Sequence, residues 1–88
     1  MNVEETLVER GDRYGAFTDN AAVTQCLKET MRHTQNWDRL EPEMREALDM
    51  IAHKISRILN GDPNYTDSWH DIAGYAQLVE ISVKCNQR

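Results

Sequence analysis

Aromatic residues are scarce in this sequence, and no segment shows the pattern of a β-strand. Its 88 residues include one phenylalanine, two tryptophans and three tyrosines. Strands are enriched in β-branched and aromatic residues that alternate with polar ones. We therefore expect an all-α fold, a small bundle of about four helices.

Cysteine is equally scarce. Cys26 and Cys85 are the two cysteines of the chain, and they are too few and too far apart for a disulfide framework or a zinc knuckle. Unpaired cysteine is usually a buried, weakly polar residue. We expect two buried free thiols.

The sequence also lacks an excess of basic residues and any long apolar run. Its net charge of −5 opposes general binding to nucleic acid, which needs clustered lysine and arginine; a local basic subsite is still compatible with it. No run approaches the roughly 20 apolar residues that span a bilayer. The first ten residues are acidic, unlike a signal peptide, so we expect a cytoplasmic protein without a membrane partner.

The length of the chain predicts one helical domain over residues 1–88. A domain of this size has a thin core that contributes little net stability. An apolar stripe on a second helix face would then be covered by another copy of the chain, and we expect a homo-oligomer.

Helix start and stop signals divide the chain into four segments. Gly11 is expected to end the first helix, and the polar triplet 18–20 to cap the second. Pro42 favours the first position of the third helix, residues 60–63 (NGDP) break it, and Thr66 is expected to cap the fourth. The predicted helices cover residues 2–10, about 20–33, 42–60 and 67 to at least 83.

The fourth helix is apolar on more than half of its circumference. Tyr75, Leu78 and Ile81 form a second stripe, which is the best candidate for a subunit contact. The stripe expected to face the core comprises Trp69, Ile72, Ala73, Ala76, Val79 and Val83.

The third and fourth helices are joined by a short loop, so they should form an antiparallel hairpin. Two residues whose numbers add up to about 125 should then lie at the same height along the axis of the hairpin. This places Lys54 level with Asp71, and Arg57 level with Asp67 or Trp69. The four charges either form two interhelical salt bridges, Lys54 with Asp71 and Arg57 with Asp67, or line a pocket that binds phosphate.

The pocket alternative adds residues from outside the hairpin. Arg13, Tyr14 and Asn20 would line it, while the acids orient the cations or bind a metal. Asp49 belongs to a stripe of ionisable residues on the third helix, and a solvated face explains that stripe as well. His70 adjoins Asp71 and would lie in the same region.

Three stretches resemble a family of small phage and prophage proteins. They are residues 54–57 (KISR), the loop 60–63, and residues 67–76 (DSWHDIAGYA). The opening also resembles the family pattern of a charged residue, Tyr-Gly and a later Asn, which are Arg13, Tyr14, Gly15 and Asn20 here. The resemblance covers nearly the whole chain, and it implies a phage protein in the cytoplasm of a bacterial host.

That family is similar to the MazG-like all-α nucleotide pyrophosphohydrolases, in which four carboxylates of Glu-x-x-Glu and Glu-x-x-Asp motifs hold magnesium. Metal ions there neutralise the triphosphate and activate a water. Here Glu43 and Glu46 have the first spacing, but Glu46 falls about 12 Å along the helix axis from Asp71. The four-carboxylate site is therefore at best incomplete within one subunit.

The resemblance implies a nucleotide-binding protein that is a magnesium-dependent nucleoside triphosphate pyrophosphohydrolase. A protein that sequesters a nucleotide without catalysis, and a module that docks on a host protein without a ligand pocket, are the alternatives. In the hydrolase, Asp67 and Asp71 would be catalytic, and Asp49, Asp67 and Asp71 would hold magnesium. The residues expected to bind the ligand are Arg13, Tyr14, Asn20, Lys54, Arg57 and His70.

Overall fold

The computed structural model describes residues 2–86, and within that range it contains helices and no strand. This confirms the predicted all-α fold of about four helices. A single 3-10 turn at Trp37–Arg39 joins the second helix to the third. The four α-helices are α1 (Val3–Tyr14), α2 (Phe17–Arg32), α3 (Pro42–Asn60) and α4 (Thr66–Asn86).

Helix α1 is longer than predicted. Asn2 caps its start, and the Asn2 side chain accepts a hydrogen bond from the Glu5 amide at 2.8 Å in a capping box. The predicted end at Gly11 is wrong, because the chain stays helical through Tyr14. Gly15 ends the helix instead: it has φ +85°, and its amide donates to the Gly11 carbonyl at 2.9 Å.

Helix α2 begins at Phe17, before the triplet 18–20 that was expected to cap it. The preceding Ala16 is extended and no side chain caps the helix. Asn20 is instead in the first turn of α2, and its amide nitrogen donates to the Tyr14 carbonyl at 2.7 Å. A polar side chain that was expected to cap the start of α2 therefore joins α2 to the end of α1.

Helices α3 and α4 form the predicted antiparallel hairpin. Lys54 Nζ lies 3.1 Å from Asp71 Oδ2, and Ser82 Oγ donates to Glu43 Oε1 at 3.0 Å. The two contacts are about three helical turns apart along each arm, and both obey the predicted height relation. The register of the hairpin is confirmed.

The core between α2 and α3 is small and partly polar. Thr24 and Ser56 are buried, and their hydroxyl oxygens lie 2.6 Å apart. Ser56 also donates to the Ala52 carbonyl at 3.1 Å, so its hydroxyl is satisfied inside the protein. Short side chains at these positions let the two helix backbones approach closely, while Trp37 closes one end of the core.

Parts of α4 that were expected to be in the core are exposed. Trp69 is 54% exposed, and Ala73 and Ala76 are also on the surface. The Trp69 indole still donates to the Pro63 carbonyl at 2.8 Å, which holds the ring across the α3–α4 loop. The expected burial of both thiols is wrong too, because Cys26 and Cys85 are free and exposed.

The molecule is elongated, with extents of 49 × 25 × 23 Å and a radius of gyration of 15.1 Å. A compact chain of this length would have a radius of about 12 Å. Within residues 2–86, none of the helices combines the length and the apolar character needed to cross a membrane.

Two turns meet where α1 ends and α3 ends, and glycine is required on both sides of this contact. A Cβ atom on Gly15 would lie 2.5 Å from the Asn60 carbonyl oxygen, and one on Gly61 would lie 2.5 Å from the Arg13 carbonyl oxygen. The amide of Asp62 donates to the same Arg13 carbonyl at 3.0 Å. This contact, called here the turn clasp, fixes α1 against the hairpin.

We expect Gly15→Ala and Gly61→Ala each to lower the free energy of unfolding by on the order of 2 kcal/mol, because backbone atoms must move to admit the methyl group. Gly11→Ala is the matched control. Nothing lies within 4 Å of a Cβ at Gly11, so this change should raise stability by about 0.5–1 kcal/mol. Urea denaturation followed by circular dichroism measures all three, and equal stability of the three variants would contradict the role of the clasp.

Candidate functional site

The four charged residues of the hairpin do not all pair as predicted. Lys54 and Asp71 form an ion pair in which the lysine side chain is 11% exposed and the aspartate 37%. Arg57 does not pair with Asp67: its guanidinium carbon lies 4.5 Å from the centroid of the Tyr14 ring. One predicted salt bridge is therefore confirmed, and the other is replaced by a cation–π contact.

Arg57 lies beside a cleft between α1, the start of α2 and the end of α3. The cleft has a volume of about 330 Å³, at the lower end of the range of roughly 300–1,000 Å³ typical of small-molecule sites. We call it the Arg10–Arg57 cleft. Its lining residues are Leu7, Arg10, Gly11, Tyr14, Gly15, Ala16, Phe17, Asn20 and Arg57.

The Arg10–Arg57 cleft is positively charged. Arg10 and Arg57 both stack on Tyr14, at 5.4 and 4.5 Å from the ring centroid. No carboxylate lines the cleft, and among residues 2–86 neither arginine has a salt-bridge partner. The chain as a whole carries a net charge of −5, so this is a local basic site on an acidic protein.

Tyr14 is the residue around which the cleft is organised. Its carbonyl accepts from Asn20, whose side-chain oxygen in turn accepts from the Asn60 amide at 3.1 Å. Its ring lies 5.7 Å from that of Tyr65. Burial raises the pKa of the Tyr14 phenol above its ordinary value of 10.0, and the nearby Tyr65 and Asp67 raise it further, so the hydroxyl keeps its proton at neutral pH.

Two of the other predicted ligand-binding residues lie outside the cleft. Arg13 pairs with Glu9 at 2.9 Å and stacks over the Tyr65 ring, so it supports Tyr65 and does not line the cleft. His70 lies on α4 beside Asp71, along a separate groove of the fourth helix. Tyr14, Asn20 and Arg57 are the predicted residues that the fold brings together.

The acids expected to hold magnesium are dispersed. Asp49 pairs with Arg32 at 3.1 Å, Asp71 pairs with Lys54, and Asp67 lies near Tyr14. Across residues 2–86, no three His, Cys, Asp or Glu side chains are close enough together to hold a metal ion. The donor set of one copy therefore does not fit the magnesium site that the resemblance implies.

His53 belongs to the ionisable stripe of α3, and several charged side chains lie near its imidazole. Burial lowers the pKa of the His53 imidazole below its ordinary value of 6.5, and Lys28 and Arg57 lower it further. The Oδ1 atom of Asp49, one turn away, is buried without a hydrogen-bond partner among residues 2–86. His53 is consequently neutral at physiological pH.

The ligand-binding residues predicted from the sequence do not include Arg10 and Phe17, which supply a charge and an aromatic ring to the cleft. The sequence predicts helices over residues 2–10 and about 20–33, which places Arg10 in the last turn of the first and Phe17 in the linker between them. Because α1 runs on to Tyr14 and α2 starts at Phe17, both residues lie at the cleft. One feature of the sequence could have indicated that Arg10 lies at a site. Arg10 precedes Gly11 in a segment with regular helical spacing.

The fold and the cleft define a small all-α domain with a local arginine–tyrosine site. The chain belongs to the family called domain of unknown function DUF6378, whose model matches residues 2–82. No curated protein and no solved structure shows a significant match. The phage origin and the similarity to MazG-like enzymes stay predictions from the resemblance.

The Lys54–Asp71 pair should respond unequally to the loss of each partner. Asp71→Asn leaves a nearly buried ammonium group without a counter-charge, so we expect a loss of about 2 kcal/mol in the free energy of unfolding. Lys54→Met keeps the apolar stem and leaves an aspartate that reaches water, so its cost should stay below about 1 kcal/mol. Chemical denaturation at neutral pH tests this order, and the reverse order would contradict the asymmetric burial of the pair.

The lowered pKa of His53 predicts a pH dependence of stability. The unfolded chain takes up the imidazole proton at pH 6.5, whereas the folded chain takes it up at lower pH. The free energy of unfolding should therefore be highest above pH 6.5 and fall as the pH drops towards the folded-state pKa. His53→Gln should flatten this part of the profile. An NMR titration of His53 at or above its ordinary pKa would contradict the prediction.

Proposed function

We propose that the protein binds a phosphorylated small molecule with a planar ring, of which a nucleotide is the best example, in the Arg10–Arg57 cleft. The observation that carries the proposal is a pair of arginines that have no acidic partner among residues 2–86, held on one tyrosine at the edge of a cleft that no carboxylate of this range lines. Each further element of the cleft has a matching role in such a ligand.

The arginines supply the phosphate contact. A guanidinium group is always charged at neutral pH and offers parallel N–H donors that match phosphate oxygens. Stacking on Tyr14 orients Arg10 and Arg57 before a ligand arrives, which lowers the entropy cost of binding. The uncapped start of α2, at Ala16 and Phe17, adds unpaired backbone amides at the same edge of the cleft.

Aromatic and apolar residues supply the contact for a ring. Phe17 lines the cleft and is 87% exposed, which is unusual for a phenylalanine that only packs against its own chain. Leu7 lies across from it on α1 and is exposed as well. A planar base stacked on Phe17 would cover this apolar surface while its phosphate reaches the arginines.

Gly11 keeps the cleft open. It lies in the last turn of α1, at a helical position where glycine weakens a helix relative to alanine. The space beside it is empty, with nothing within 4 Å of a Cβ, and Gly11 lines the cleft. A side chain at position 11 would occupy the space that the ligand needs. Ligand binding therefore explains the glycine, whereas helix stability does not.

The arrangement favours binding without catalysis over hydrolysis. Cleavage of a triphosphate requires metal ions and an activated water, and the acids Asp49, Asp67 and Asp71 are separated in one copy of the chain. A protein that sequesters a nucleotide needs only the cleft. The magnesium-dependent pyrophosphohydrolase stays a prediction, and the experiment below separates it from simple binding.

The test is isothermal titration calorimetry with a panel of nucleoside mono-, di- and triphosphates, in the presence of excess chelator. Arg57→Gln and Arg10→Gln should each weaken binding by about ten- to a hundredfold, the loss expected for a charged hydrogen bond. Arg39→Gln is the matched control, because Arg39 is an exposed arginine of the 3-10 turn, away from the cleft, and it should leave binding unchanged.

Gly11→Leu provides a second test that does not change the charge of the cleft. It should abolish binding while helicity, measured by circular dichroism, is retained. Absence of binding across the whole panel, or equal binding by the Arg57 and Arg39 variants, would contradict the proposal. Incubation of each bound nucleotide with magnesium then decides between the functions: recovery of intact ligand indicates sequestration, and release of pyrophosphate indicates the hydrolase.

A further inference from the structure

Asn20 carries the one side-chain amide that lines the Arg10–Arg57 cleft within residues 2–86. An amide of this kind can recognise the edge of a base, because it offers a donor and an acceptor side by side. Both groups of the Asn20 amide are engaged inside the protein. Its Nδ2 donates to the Tyr14 carbonyl at 2.7 Å, and its Oδ1 accepts from Asn60 Nδ2 at 3.1 Å. Asn20 therefore holds the end of α1 against the end of α3.

The phenol of Tyr14 interacts with residues outside the cleft. Its pKa is raised by burial first, and then by Tyr65 and Asp67, neither of which lines the cleft. The rings of Tyr14 and Tyr65 lie 5.7 Å apart. Tyr14 therefore contributes its ring to the cleft, as the surface on which Arg10 and Arg57 stack.

Three backbone carbonyls of the cleft are in use as well. The Gly11 carbonyl accepts from the Gly15 amide at 2.9 Å, and the Ala16 carbonyl from the Asn20 amide at 3.0 Å. The third is the Tyr14 carbonyl, which accepts from the Asn20 side chain. Carboxylates, which hold ribose hydroxyls in many dinucleotide sites, are absent from the cleft walls within residues 2–86. An amino group of a base or a sugar hydroxyl thus finds each of these acceptors occupied or missing.

The groups that stay available are two cations and an aromatic ring. Arg10 and Arg57 have no salt-bridge partner in the described part of the chain, and Phe17 is 87% exposed. Guanidinium groups bind the phosphate of any nucleotide, and every base has a π-face that can stack. Neither contact depends on which base or sugar the ligand carries.

We propose that the Arg10–Arg57 cleft selects its ligand by the phosphate and by the presence of a planar ring, and that it does not distinguish one base or sugar from another. This inference rests on the proposed function and specifies its ligand class: nucleoside phosphates in general. Asn20 and Asn60 are then positioning residues, which hold Tyr14 and its arginines in place without contacting the ligand.

The test is calorimetric titration with pairs of nucleoside monophosphates whose rings have the same size. Adenosine and inosine monophosphate differ in one amino or oxo group of the base, and so do cytidine and uridine monophosphate. The dissociation constants within each pair, and those of adenosine and deoxyadenosine monophosphate, should agree within about threefold. A ratio above about tenfold in any pair would overturn the proposal, because a site that hydrogen-bonds the differing group discriminates at that level.

Probes that lack one part of a nucleotide locate the source of the affinity. Adenosine, without the phosphate, and ribose 5-phosphate, without the ring, should each bind at least about tenfold more weakly than adenosine monophosphate. Naphthyl phosphate has a ring of purine size without a hydrogen-bonding edge, and it should bind within about tenfold of adenosine monophosphate. If naphthyl phosphate fails to bind while adenosine monophosphate binds, the base edge is recognised and the proposal is wrong.

Variants of the two asparagines separate positioning from recognition. Asn20→Ala should weaken all the monophosphates by one common factor, because Tyr14 loses its support, and the ratio within each pair should not change. Asn60→Ala acts through Asn20 from outside the cleft and should give the same pattern, with a smaller loss. Asn64→Ala is the matched control, since Asn64 is exposed and does not line the cleft. A loss confined to one base in Asn20→Ala would show that Asn20 contacts the base.

The two levels of the proposal fail in different ways. If none of the phosphorylated probes binds, the proposed function is wrong and this inference with it. If one base binds far more tightly than the others, through contacts that Arg57→Gln also weakens, the nucleotide site stands and the lack of base selectivity is refuted.

Discussion

The arrangement of the cleft depends on the contact between two turns. Gly15 and Gly61 bring the end of α1 against the end of α3 so closely that neither position has room for a Cβ atom. Without this contact, α1 would have little to hold it, because its other residues are largely exposed. With it, Tyr14 lies under the guanidinium group of Arg57, and the residues that follow Gly15 complete the cleft.

Because of the turn clasp, two neighbouring cations of α3 have different roles. Lys54 and Arg57 lie one turn apart on α3, yet Lys54 is neutralised by Asp71 inside the hairpin and Arg57 is left without an acid partner in residues 2–86. The first stabilises the register of two helices, and the second is available to a ligand. An acidic protein thereby keeps one local site that favours phosphate.

The small core has a consequence for the rest of the surface. Close packing of α2 on α3 uses short polar residues such as Thr24 and Ser56, which bury little apolar area. Larger apolar residues are left on the outside, among them Phe17 at the cleft and Leu78 on α4. The proposed function assigns one of these exposed residues, Phe17, to a planar ligand at one end of the molecule.

The hairpin and its register could be predicted from the sequence alone, because a short loop forces antiparallel pairing and numbering then sets the height of each residue. Lys54 opposite Asp71 is the result. The partner of Arg57 could not be predicted in this way. Its neighbour Tyr14 lies more than 40 residues earlier, and α1 reaches it only through the approach of Gly15 to Asn60 and Gly61, a backbone contact that leaves no periodic pattern in the sequence. Height along a helix follows from local geometry, whereas the direction of a long side chain depends on which distant segment packs beside it.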